Sequence, residues 1–96
     1  MTELDVQCAP LAGEDGWTCH VTIDVEGGPR TEHRVRVAVA DLERLDPGAH
    51  EPHLLVNRSF RFLLAREPAT SILGSFELTE IGRYFPEYES EIRRTP

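Results

Sequence analysis

The sequence predicts an α+β fold, with a small antiparallel sheet of two or three strands followed by one main helix and two or three short helices on one face. Two observations predict this class. In the first half of the chain apolar residues alternate with polar ones, which is typical of strands with one buried face. In the second half they recur at spacings of three and four, which is typical of amphipathic helices. We expect one domain over residues 1–96, with the sheet in 1–39 and the helical part in 41–94.

The strongest strand signal is a predicted β-hairpin in residues 17–39. Pairing Val25 with Thr31 across a five-residue, glycine-containing loop places the apolar residues of both strands on one face. In the same register three further pairs lie opposite each other across the strands: Val21 and Val35, Cys19 and Val37, and Trp17 and Val39. Arg34 and Arg36 fall on the opposite face, which we expect to stay polar.

An earlier segment, Leu4–Leu11, is predicted to extend the sheet as an edge strand, because Pro10 has no backbone N–H to donate. A symmetric turn at residues 13–16 would set Cys8 roughly opposite Cys19. We expect two small buried apolar side chains here rather than a disulfide, since the spacing is not Cys-x-x-Cys and the expected compartment is reducing.

Helical spacing begins after residue 40. Asp41 is predicted to cap a short helix over Leu42–Leu45. Pro52 is predicted to open the main helix, and Glu67 with Pro68 to end it. The apolar stripe of the main helix comprises Leu55, Val56, Phe60, Leu63 and Leu64. We therefore expect this helix to cover the apolar face of the sheet.

Three shorter segments follow the main helix. Pro68 is predicted to start a short helix that stops at Gly74. The apolar pattern of Phe76–Phe85 predicts a further helix, which Pro86 ends. The tail, Glu87–Arg94, is amphipathic and mostly charged.

Charge and hydropathy limit the expected partners. Seventeen acidic residues stand against ten basic ones, all of them arginine, for a net charge of -7. That charge disfavours nucleic acid and favours a basic protein surface. No apolar run reaches the ~18 residues of a membrane span, and the N-terminus lacks a basic region followed by an apolar one, so we expect no membrane association and a cytoplasmic location. A homodimer is a further hypothesis, because the third strand, carrying Arg34 and Arg36, would leave an open edge for a second copy.

The histidines give weak chemical signals. His50 and His53 have a spacing that can chelate a metal, but Pro52 lies between them and no third ligand follows at diagnostic spacing. His20 shares the outer face of the hairpin with Asp24, where solvated cross-strand pairing is the ordinary arrangement. The chain has no nucleophile elbow and no glycine-rich phosphate loop. We predict no enzymatic activity, no metal and no cofactor.

Two groups of side chains are candidates for binding. The first comprises Arg34, Arg36, Arg58 and Arg61, the last two on the exposed side of the main helix. Arginine suits carboxylate or phosphate, so this group gives the alternative of a small nucleic-acid-associated regulator. The second comprises Tyr84 and Tyr88, which lie among five glutamates and suit a basic protein partner. Pairing of the arginines with the chain's own glutamates, and burial of one tyrosine in the core, are the structural alternatives.

The C-terminal third of the chain carries a detailed motif. Its residues are Phe62–Pro68, Ser71, Ile72, Leu73, Phe76, Leu78, Ile81 and Arg83–Tyr88. This motif resembles the end of a family of short, uncharacterised bacterial proteins, often actinobacterial. The resemblance implies a hairpin-plus-helices protein and no site residues. The leading prediction for function is a non-enzymatic protein-binding or adaptor module with an acidic surface.

Overall fold

A computed structural model describes residues 2–13 and 15–94, so Glu14 of the predicted turn lies outside the described residues. The elements are, in chain order, β1 (Thr2–Pro10), β2 (Gly16–Val25), β3 (Arg30–Ala38), α1 (Val39–Leu45), α2 (His53–Leu64), a 3₁₀ turn (Ala69–Ser71), β4 (Ser75–Glu77), a second 3₁₀ turn (Leu78–Glu80), α3 (Ile81–Tyr84) and α4 (Tyr88–Arg94). The α+β class is confirmed. The sheet, however, is mixed and has four strands, in the order β1-β2-β3-β4.

The first three strands form an antiparallel meander whose faces follow the predicted alternation. The register between β2 and β3 differs from the predicted one by two positions, because Cys19 opposes Val35 rather than Val37. The chain turns one residue earlier than predicted, where the N–H of Gly28 donates to the carbonyl oxygen of Val25 at 2.8 Å and Gly27 takes a φ of 76°. A shift of two positions leaves each strand side chain on its predicted face. The predicted pair of Trp17 with Val39 is wrong, however, because Trp17 opposes Val37 and Val39 begins α1.

The fourth strand comes from the half of the chain that was predicted to be helical. β4 pairs in parallel with β3, with Val35 opposite Phe76. Glu77 and Glu80 form a capping box, so helical structure begins only at Leu78 and the predicted helix over Phe76–Phe85 is wrong at its start. Because β4 covers this part of β3, the predicted open edge for a second copy at Arg34 and Arg36 is also wrong.

The helices pack on one face of the sheet and form the second layer of the fold. α2 starts directly after Pro52, as predicted. α1 begins earlier than predicted, at Val39, so Asp41 lies in its first turn and is not its N-cap. The short helix predicted from Pro68 to Gly74 is a single 3₁₀ turn. The largest fully buried side chains are Tyr88, Phe60, Ile23, Leu42, Leu45 and Leu55. No helix within residues 2–13 and 15–94 is long and apolar enough to cross a membrane.

Cys8 and Cys19 form a disulfide, so the expectation of two free thiols is wrong. The antiparallel register places the two residues directly opposite each other, with their Cα atoms 4.0 Å apart. Both side chains lie on the inner face, where Cys19 is fully buried and Cys8 is half-buried. The bond therefore fastens the edge strand β1 to the centre of the sheet.

Candidate functional site

A groove of about 350 Å³ lies between the C-terminal end of α2, the first 3₁₀ turn and α3. Its floor is apolar and consists of Leu63, Ile72, Phe76, Ile81 and Phe85. Its rim carries two large apolar side chains, Leu73 and Tyr84, and two carboxylates, Glu67 and Glu80. The volume falls in the lower range of pockets that bind ligands or partner side chains. We take this groove as the candidate functional site.

One wall of the groove is fastened to the sheet by hydrogen bonds from β3. The Nδ1–H of His33 donates to the carbonyl oxygen of Leu73 at 2.7 Å, and the backbone N–H of Arg34 donates to that of Gly74 at 2.8 Å. A carbonyl oxygen can only accept, so Nδ1 carries the proton. The other ring nitrogen lies 2.9 Å from the hydroxyl of Thr31, and the ring packs 5.5 Å from that of Phe60. His33 is therefore a buried residue that holds this wall of the groove against the sheet. No feature of the sequence indicated that role.

The opposite wall is α3, which continues directly from the second 3₁₀ turn, and the start of that turn is fixed by the capping box. The backbone N–H of Glu77 donates to Oε2 of Glu80 at 2.8 Å, which places the Glu80 carboxylate on the rim. Pro86 follows the last turn, as predicted. Phe85 turns inward and meets the ring of Phe62 edge-on at 5.9 Å, while Tyr84 points outward. One side of this short helix therefore contributes to the core and the other to the groove rim.

Exposed apolar side chains are concentrated at the groove. Three large apolar side chains are exposed among the residues that the structure describes: Leu54 (61%), Leu73 (48%) and Tyr84 (68%). Two of these three are the apolar rim of the groove. Exposed apolar side chains beside an apolar floor mark a surface suited to contact with a partner.

The two carboxylates on the groove rim lack an ion-pair partner among the described residues, unlike the other glutamates of the C-terminal part of the chain. Glu67 and Glu80 are half-buried, and neither forms an ion pair with a described arginine or histidine. Among the described residues that line the groove, none is cationic. The other C-terminal glutamates are neutralised within the chain: Glu77 by Arg36, Glu89 by Arg44, and Glu87 and Glu91 by Arg66.

The two tyrosines predicted as binding residues have different environments. Tyr84 is exposed on the groove rim, and its role in binding stays a prediction. Tyr88 is fully buried, and its hydroxyl lies 2.7 Å from that of Ser59. Burial raises the pKa of the Tyr88 phenol to about 12, because the phenolate would be poorly solvated in the core. Tyr88 is therefore a core residue, and its prediction as a partner-binding residue is corrected.

The four arginines predicted as a patch are divided between the two layers. Arg34 and Arg36 lie on the polar outer face of the sheet, while Arg58 and Arg61 lie on α2, which covers the inner face. Arg36 pairs with Glu77 at 3.0 Å. Arg58 was predicted to be exposed, but its side chain is only 19% exposed and pairs with Asp46 at 3.2 Å. The structure does not bring these arginines together.

The histidines that gave weak chemical signals, His53 for a metal and His20 for acid–base chemistry, lie in separate contacts. The His53 Nδ1 atom is 3.7 Å from Glu51, and the His20 Nε2 atom is 3.2 Å from Glu32 on the outer face of the sheet. Within the described part of the chain, no three histidine, cysteine, aspartate or glutamate residues are grouped as metal ligands would be.

Comparison with known proteins adds no assignment. The chain matches no family model, no curated protein and no solved structure. The resemblance of its C-terminal third to short bacterial proteins stays a prediction.

Proposed function

We propose that this protein is a non-enzymatic protein-binding module, an adaptor that holds a partner protein at the groove. The observation that carries the proposal is the coincidence of an apolar floor with the exposed side chains of Leu73 and Tyr84 on one rim. A few anchor side chains, often tyrosine or tryptophan, supply most of the binding energy in protein interfaces, and Tyr84 has this character. The groove offers apolar contact at its floor and polar contact only at its rim, an arrangement suited to binding a partner protein.

Capture from the native host tests the proposal. Native mass spectrometry of the tagged chain at low salt measures which proteins remain bound and in what ratio. The test variant is Leu73→Ser/Tyr84→Ser, which removes the apolar rim. The control is Leu54→Ser, which removes an equally exposed apolar side chain that does not line the groove. We expect one stoichiometric partner with the wild-type chain and the control, and its loss with the rim variant.

Two results would contradict the proposal. Equal capture by all three proteins would show that the groove is not the binding surface. Absence of any stoichiometric partner would remove the adaptor role itself. The same spectra count the copies of the chain, and a homodimer would have to use a surface other than the part of β3 that β4 covers.

The location proposed with this function is the cytoplasm. The disulfide argues for an oxidising compartment instead, so its state in the cell tests this part of the proposal. Disulfides persist in oxidising compartments and are usually reduced in the cytoplasm. Alkylation at the moment of lysis, followed by intact-mass measurement, reports the fraction of chains with free Cys8 and Cys19. A pool recovered wholly in the disulfide form would contradict a cytoplasmic location.

A further inference from the structure

We infer that the partner segment held by the groove is a cationic peptide, with one large apolar side chain flanked by arginine or lysine. This inference rests on the proposed protein-binding function and specifies the chemistry of the partner. It follows from the lack of a counter-ion at the two rim carboxylates and from the loss of water that any occupant imposes on them. A comparison with a second, arginine-lined cleft supports it.

The rim carboxylates differ from the neighbouring acidic side chains in having no internal counter-ion. Glu67 and Glu80 form no ion pair with a described side chain, whereas Glu77 pairs with Arg36 and Glu89 pairs with Arg44. Glu80 accepts one hydrogen bond, from the backbone N–H of Glu77. Their negative charge is therefore available to a group from outside the molecule.

Occupation of the groove changes the surroundings of these carboxylates. Both are already half-buried, and an apolar side chain resting against Leu73 and Tyr84 would remove more of their water. Removing water from an ionised carboxylate is costly unless a cation or hydrogen-bond donor replaces it. A partner with only apolar or acidic side chains would bear this cost without compensation. A partner with a cation beside its apolar anchor would offset it and would also gain from complementary charge during encounter.

The molecule carries a second cleft that suits the same partner less well. This cleft, of about 290 Å³, is lined by Arg58, Arg61 and Arg66 and by the α4 residues Glu91 and Ile92. Its arginines are largely paired, Arg58 with Asp46 and Arg66 with Glu87 and Glu91, so the carboxylate in its lining, Glu91, already has a counter-ion. The groove instead offers Glu67 and Glu80, which form no ion pair within the described residues, so a basic amphipathic peptide is better matched by the groove than by this cleft.

The size of the groove sets the length of the anchor. A volume of about 350 Å³ is enough for one large side chain and the backbone on either side of it. The two carboxylates lie on different elements, Glu67 after α2 and Glu80 in the second 3₁₀ turn. We therefore expect a cation on each side of the anchor in the peptide sequence.

The first experiment is selection from a random peptide library displayed on phage. The wild-type chain is the target at low ionic strength, and the Leu73→Ser/Tyr84→Ser variant is used to subtract peptides that bind elsewhere. We expect the remaining peptides to share one leucine, methionine or aromatic residue with arginine or lysine nearby. Groove-dependent peptides that are neutral or acidic would overturn the inference and leave the groove as a binding site. No groove-dependent peptide at all would overturn both the inference and the proposed function.

The second experiment measures the contribution of the carboxylates directly. A selected peptide, resynthesised with a fluorescent label, is titrated by anisotropy against wild-type chain and two double variants of equal net charge. Glu67→Gln/Glu80→Gln removes the rim charges and keeps an amide oxygen to accept the bond from Glu77. Glu3→Gln/Glu43→Gln removes two exposed charges outside the groove.

We expect the rim variant to bind about tenfold more weakly, with a flatter dependence on salt, and the control to stay within about twofold of wild type. Equal weakening in both variants would mean that net charge alone attracts the peptide, and would overturn the assignment of the cation to the groove rim. Unchanged affinity in the rim variant would overturn it as well.

Discussion

Reduction of the Cys8–Cys19 disulfide leaves the amino-acid sequence intact, so it isolates what that bond contributes to stability. The two cysteines are 11 residues apart in sequence. Closing a loop of that size removes about 9 to 10 cal/mol/K of entropy from the unfolded chain, or about 2.8 kcal/mol at 25 °C. A small domain unfolds with a total free energy of about 5 to 15 kcal/mol, so this loss would be a large fraction of the whole.

Urea and thermal unfolding measure this loss through the fluorescence of Trp17, the only tryptophan in the chain. We expect reductant to lower the free energy of unfolding by about 2 to 3 kcal/mol and the Tm by about 10 to 20 °C. The Cys8→Ala/Cys19→Ala variant is the control, because its stability should not respond to reductant. Coincident curves for oxidised and reduced wild-type protein would refute the reasoning.

The buried hydrogen bonds of Tyr88 and His33 support three further predictions. Tyr88→Phe should lower the free energy of unfolding by about 1 kcal/mol, because it removes the bond to Ser59, whereas exposed Tyr84→Phe should leave the urea midpoint unchanged. The pKa of Tyr88 is raised in the folded state to about 12 from 10, so the unfolded chain ionises first. Stability should therefore fall as the pH rises from about 10 to 12, and a Tyr88→Phe protein that loses stability equally over this range would contradict the assignment. His33→Ala should speed hydrogen exchange at the amides between the first 3₁₀ turn and β4, while exposed His20→Ala should not; unchanged exchange in His33→Ala would show that other contacts hold the wall.

The faces of the sheet were predictable from sequence, but its register was not. Alternation places Cys19, Val21 and Val35 on one face for every strand register that differs by an even number of residues. The shift itself depends on where the chain turns, and the adjacent glycines 27 and 28 allow more than one position. The disulfide was only partly predictable for a related reason. The turn placed Cys8 opposite Cys19, but whether the two thiols form a bond depends on redox chemistry that the sequence does not encode.

The fourth strand and the role of each tyrosine required tertiary information. Leu78, Ile81 and Phe85 recur at the spacings of three and four that are typical of a helix, and Phe76 was predicted to belong to the same helix. Its strand partner, Val35, lies about 40 residues earlier in the chain. Tyr84 and Tyr88 lie four residues apart in one stretch rich in glutamates and aromatic residues, so local composition does not distinguish them. Only the packing of α4 against Ser59 of α2 buries one of them and leaves the other at the groove.

The attachment of the groove wall to β3 bears on the thermodynamics of any binding event there. Leu73 and Gly74 each accept a hydrogen bond from β3, so this wall is tied to the sheet before a partner arrives. A preorganised surface loses little conformational entropy on association, and the ordering cost then falls on the partner's chain. Shortening or cyclising a bound peptide should therefore raise its affinity more than any stiffening of this protein would.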